Sequence, residues 1–179
     1  MDTVLNELRR ETSSKFGFDP IIAEENLSIY LDKEKIELAD QDINEIANFI
    51  KLKLENCEEI KAIYTAEELK DGSDDEWREM IFLGYHPKES GDIMFILEPG
   101  YLPKSSDSET ARRGTSHGSA FNYDTHVPLI WYGSGIESQE IHRRIAITDI
   151  GATLIGIMNL QRNGAMTGNP IIELFETKR

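Results

Sequence analysis

The chain has one cysteine, Cys57, in 179 residues, so an internal disulfide is excluded and the redox compartment cannot be read from thiols. Basic residues are scarce as well. There are 19 Lys+Arg against 33 Asp+Glu, a formal net charge of -14. That balance argues against nucleic acid or an anionic membrane surface as partner, because both would be repelled. It leaves a phosphate-bearing substrate open, since a metal ion inverts the local field. No apolar run is long enough to span a bilayer. The start of the chain lacks the basic, apolar and small-residue regions of a signal peptide. Repeats, low-complexity tracts and linkers are also missing, and 179 residues fit one domain with a core of useful size.

What is present alternates between strand and helix patterns. TVLNELRRETSSKF (3–16) places Val4, Leu5, Leu8 and Phe16 at helical spacing, and Gly17 ends the helix. IIAEENLSIYLD reads as two short strands turning at Glu25-Asn26. Ile43, Ile46, Ala47, Ile50 and Leu54 form an apolar helix stripe that Asp40 or Asp42 can cap. EIKAIYT (59–65) is a strand, AEELKDG a short helix, and DEWREMIFLGY a further helix. GDIMFILEP (91–99) and VPLIWYG (127–133) read as strands buried on both faces, and TDIGATLIGIMNL as a helix capped by Thr148. Apolar strands alternating with helices predict an α/β layer fold.

The residues with chemical potential concentrate in GTSHGSAFNYDTHVPLIWYG (114–133). A histidine in a polar loop is more often a hydrogen-bonded surface residue than a ligand. Two features favour His117 nonetheless. Gly118 lets the backbone approach a ligand closely, and the loop precedes an apolar strand, where α/β sites lie. The spacing of His117 and His126 is not a helical zinc motif, and His86 and His142 read as surface residues. Ser116-His117 is no nucleophile–base pair by adjacency alone, and no G-x-S-x-G, P-loop or dinucleotide fingerprint occurs.

In order, SGDIMFILEPGY, GTSHGSAFNYDTHVPLIWYGSGI, AITDIGATLIGIMNL and GNPI resemble the C-terminal part of the alkaline phosphatase superfamily. The similar branch is that of the phosphate-irrepressible bacterial alkaline phosphatases and the nucleotide pyrophosphatase/phosphodiesterases. Residues 88–172 carry the resemblance. It implies a mixed or mainly parallel sheet flanked by helices, with residues 1–179 as a single α/β unit of an alkaline-phosphatase-like catalytic domain. It also implies two zinc ions that clamp a phosphate ester for attack by a Thr or Ser nucleophile. The histidine of the H-G pair, here His117, would be a zinc ligand at about 2.0–2.1 Å. Asp124 and His126 match no ligand of the family and are expected to fix the loop behind it.

Other elements of the family pattern have no counterpart. The resemblance calls for an Asp-x-x-x-His, an Asp-His pair, a first-strand aspartate and a nucleophile, yet neither histidine motif occurs in these 179 residues. No catalytic residue is therefore assigned. The chain is expected to be a C-terminal portion of such an enzyme, inactive and without tightly held zinc by itself. Two alternatives are a non-catalytic binding module on the same scaffold and a small ligand-sensing α/β domain. Intact family enzymes are usually exported. Surface that the rest of the fold would cover is expected to appear as an exposed apolar patch or inside a homodimer.

Overall fold

The computed structural model describes residues 2–72, 75–102 and 118–175. They fall into two compact units, Met1–Val127 and Pro128–Arg179.

The first unit opens with helix α1 (Asp2–Phe16). Gly17, at φ +84, ends it by donating its N–H to Ser13 O at 2.9 Å. Strands β1 (Ile21–Glu25) and β2 (Ser28–Leu31) form a hairpin over Asn26 and Leu27. Both turn residues have positive φ, +51 and +60, the handedness that matches the twist of the flanking strands. Asn tolerates that region, whereas Leu does so at a cost, which its packing against the core offsets. Arg9 ties α1 to the hairpin, donating to Asp19 Oδ2 (2.6 Å), Glu24 Oε1 (2.8 Å) and Ile21 O (2.8 Å).

Helix α2 (Lys33–Leu38) was not foreseen; Asp32 caps it by accepting from Lys35 N at 3.0 Å, and it buries Ile36. Helix α3 (Ile43–Leu54) is the predicted stripe, with Ile46, Ala47, Ile50 and Leu54 buried. Of the two candidate caps, Asp42 serves, accepting from Asn44 N at 2.8 Å. Strand β3 (Ile60–Thr65) follows. The short helix expected over AEELKDG is instead a run of turns. There the Glu68 carboxylate folds back to accept from Thr65 N at 2.8 Å. Helix α4 (Glu76–Gly84), strand β4 (Ile93–Leu97) and the single-turn helix α5 (Asn122–Thr125) complete the unit.

The sheet runs β1-β2-β4-β3 and is flanked by helices as the sequence predicts, but all three pairings are antiparallel. The mixed or mainly parallel sheet is what the family resemblance implies; the unbroken apolar run in β4 does not require it. Burial on both faces accounts for that run without parallel neighbours. Ile93, Phe95 and Leu97 join the core built with α1 and α3, while Met94 packs with Tyr64, Leu69 and, from α4, Trp77 and Ile81. Helices cover both faces of a central strand, so neither face needs polar residues.

The second unit contains helix α6 (Thr148–Ile157) and a 3-10 turn (Ile172–Leu174). The predicted buried strand over 127–133 is absent. These residues enter no sheet, and Leu129, Ile130 and Tyr132 are exposed, as is Val127. A strand needs a neighbour for its N–H and C=O groups, and Pro128 offers no N–H.

Thr148 is not the cap of α6 either. The N-cap position is Ile147. Asp149, the second residue of the helix, secures its start by accepting from Ala146 N at 3.0 Å. The same carboxylate accepts from Asn169 N at 2.8 Å. One turn on, the Thr153 hydroxyl donates to Asp149 O (2.6 Å) and accepts from Ile171 N (2.9 Å). Gly168 makes this approach feasible, because a Cβ there would sit 2.0 Å from Thr148 O. Asp149 is only 7% exposed. The two backbone N–H donors, that of Asn169 first, hold its carboxyl below the ordinary carboxylate range. Close by in sequence, Arg143 grips Glu173 through two bonds of 2.6 and 2.9 Å, which holds that carboxyl down to about 2.

Candidate functional site

His117, the expected zinc ligand, lies outside the described residues; the loop that follows it does not. Gly118 adopts φ +96, a conformation costly for any side chain with a Cβ. The Ser119 N–H donates to Asp124 Oδ2 at 2.8 Å, and the Ser119 hydroxyl accepts from Phe121 N at 3.2 Å. Phe121 O accepts from Asp124 N (2.9 Å) and Thr125 N (3.0 Å), closing α5. Asp124 thus bridges from α5 back to the second residue after His117. His126 is exposed at the C-terminal end of α5, where its backbone N–H donates to Asn122 O at 2.9 Å.

Aromatic packing anchors this loop to the rest of its unit. The Phe121 ring lies 5.3 Å from Trp77, and Tyr123 stacks on Phe121 at 5.9 Å. Trp77 is held in turn by the start of α4. Asp75 caps that helix through Trp77 N (2.9 Å) and Arg78 N (3.0 Å), and the same oxygen accepts from the Tyr64 hydroxyl at 2.9 Å. Burial first, then the bond to Asp75, pushes the Tyr64 phenol well above its ordinary range. The backbone donors, Arg78 first, keep the Asp75 carboxyl low. Sequence reasoning singled out neither Trp77 nor Phe121. The signal was faint: one aromatic early in α4 and one in a loop of small residues.

Among the described residues, no three His, Cys, Asp or Glu side chains gather as a metal site would require. Asp124 and His126 belong to one short turn, and Asp124 already spends an oxygen on the backbone. The described residues therefore do not constitute a zinc site by themselves.

Comparison with known proteins sets this loop in context. No family model matches the chain. Alkaline phosphatase PafA of Elizabethkingia meningoseptica is 27% identical over 98% of the chain and 32% of its own length. A crystal structure of wild-type PafA superposes with a TM-score of 0.82 at 28% identity, covering 96% of this chain and 32% of that one. The chain is a relative of the alkaline phosphatases. It carries part of the PafA alkaline-phosphatase fold. Alkaline phosphatase PhoV of Synechococcus elongatus is 28% identical over 56% of the chain and 17% of its own length. A protein named calcium-transporting ATPase, from Myroides odoratus, is 32% identical over 97% of the chain and 31% of its own length. The chain spans about a third of the length of the PafA and Myroides relatives.

Proposed function

We propose that this alkaline phosphatase relative forms part of a zinc-dependent phosphate-ester hydrolase, its two units belonging to one catalytic domain. His117 is the zinc ligand it contributes, and Asp124 holds the loop in which that ligand sits. The observation that carries this reading is the construction of the loop. A glycine at positive φ, a carboxylate closing on the Ser119 N–H, and an aromatic contact to Trp77 fix the residues right after His117.

By itself the chain neither retains zinc nor turns over substrate. A catalytic zinc site normally takes three protein ligands, and the alkaline-phosphatase pattern assigns this sequence one. Affinity comes from several ligands fixed together, and with no nucleophile a covalent phosphoryl intermediate cannot form. A second reading, a non-catalytic module on the same scaffold, is favoured by the lack of any Asp-x-x-x-His or Asp-His in the 179 residues.

Zinc titration by calorimetry and a p-nitrophenyl phosphate assay at alkaline pH test both readings. The chain alone should show neither stoichiometric zinc nor turnover. Supplied with a polypeptide bearing the remaining ligands, it should gain turnover that His117→Ala abolishes. Turnover unaffected by His117→Ala would remove the ligand assignment, and persistent inactivity would favour the non-catalytic module.

A further inference from the structure

The second unit carries a chemical feature that the proposed function does not use. Asn163 is followed by Gly164, and no other asparagine of the chain precedes a glycine. Both residues are exposed, on the loop that leads from α6 to the residues held by Asp149 and Thr153. Ala165 N donates to Asn163 Oδ1 at 3.0 Å, and Met166 N donates to Asn163 O at 3.1 Å. The first bond folds the side-chain amide back over the peptide that follows it and draws electron density from its carbonyl. The nitrogen of that peptide is unhindered. Gly164 has no side chain, and nothing lies within 4 Å of where a Cβ would sit. Arg162 fastens the same loop, donating to Met166 O at 3.1 Å and to Gly168 O at 2.7 Å.

We propose that Asn163–Gly164 is a self-modification site, at which the asparagine slowly becomes isoaspartate and the loop loosens its hold on α6. The Gly164 nitrogen gives its proton to solvent base and attacks Asn163 Cγ. The Cγ–Nδ2 bond breaks, and the leaving nitrogen takes up a proton and departs as ammonia. One water then opens the cyclic imide, and nothing is oxidised or reduced. Opening at the former side-chain carbonyl gives aspartate. Opening at the main-chain carbonyl gives isoaspartate, which adds a methylene to the backbone. That methylene enters between Arg162 and the two carbonyls it holds. The far end of the loop has no slack to absorb it, because a Cβ on Gly168 would already sit 2.0 Å from Thr148 O. The added length draws the Asn169 N–H off Asp149. No step involves a metal, His117 or a phosphate ester.

The test holds the full chain in mildly alkaline buffer and maps its peptides by mass spectrometry over days. Asn163 should gain the mass of an amide-to-acid exchange about tenfold or more faster than any other asparagine, with both isoaspartate and aspartate formed. Asn169, whose neighbour Pro170 has no N–H, should stay intact. Gly164→Ala, which the open space admits, should abolish the lead of Asn163. The aged chain should melt below the fresh one and below Asn163→Asp, which gains the charge without the methylene. Aged Gly164→Ala should melt as it does when fresh. An Asn163 no faster than the other asparagines, aspartate as the sole product, or a lead that survives Gly164→Ala would each overturn the modification. Isoaspartate that leaves the melt unchanged would overturn the loosening of the loop.

Discussion

At the scale of single residues, Asp149 has the clearest consequences. Its carboxylate joins the start of α6 to Asn169, and both bonds require an acceptor. Because its folded pKa lies below the ordinary value, the stability it supplies is complete above the usual carboxylate range. That stability is lost as pH falls through the depressed folded value. Asp149→Asn should therefore lower the melting temperature at pH 7, and the gap to the parent protein should narrow at pH 3. Glu173, also depressed, is common to both proteins and cancels in the comparison. Thermal melts at the two pH values decide the matter, and an equal gap at both would refute the linkage. The sequence placed Asp149 in a helix start but credited Thr148 with the cap. The bonds that distinguish the two reach residues 146 and 169, and only the fold brings the latter near.

At the scale of elements, α1, α3, α4 and the β1–β2 hairpin were legible, since each rests on a local pattern: helical apolar spacing, an aspartate cap, or alternation around a turn. Strand direction was not legible. The apolar run of β4 encodes that helices cover both its faces, a property that parallel and antiparallel strands share. The strand predicted over 127–133 failed for a related reason, because composition signals a preference for burial and cannot supply the partner. Helix α2, at six residues, was too short for periodicity to register. The β2–β4 seam offers a direct check on the observed pairing. Gly91 precedes Asp92, whose N–H donates to Ile29 O at 2.9 Å. A Cβ on Gly91 would lie 2.7 Å from Ser28 Cβ and 3.0 Å from Ile29 O. Gly91→Ala should push β2 off β4 and cost about 1–3 kcal/mol, read from a denaturant midpoint. A midpoint unchanged from the parent would mean that the seam is looser than described.

At the scale of the whole molecule, charge and apolar exposure act together. The formal charge of -14 keeps copies apart at neutral pH, and it vanishes near the sequence pI of about 4.7. With Ile130, Ile147 and Met158 exposed, the loss of that repulsion should give a turbidity maximum close to pH 4.7, followed by light scattering. Ile147→Asp with Met158→Asp should shrink it, and a maximum unaltered by the pair would acquit the exposed face. The candidate site was half legible at this scale. The H-G pair and the Asp124 loop stood out as a motif, whereas the Trp77–Phe121 contact joins residues 44 apart in sequence and left no local trace.

The bonds from Asp149 to Asn169 and from Thr153 to Ile171 bind the two ends of one stretch of chain without any covalent link. Arg162 lies inside that stretch and donates to Met166 O and Gly168 O. A protease that severs the backbone after Arg162 would cut a strap whose two ends are already fastened to each other. The nicked halves would travel as one particle at neutral pH, the Arg143–Glu173 pair joining the same two sides of the cut, and their hold would weaken in acid as Asp149 takes up its proton.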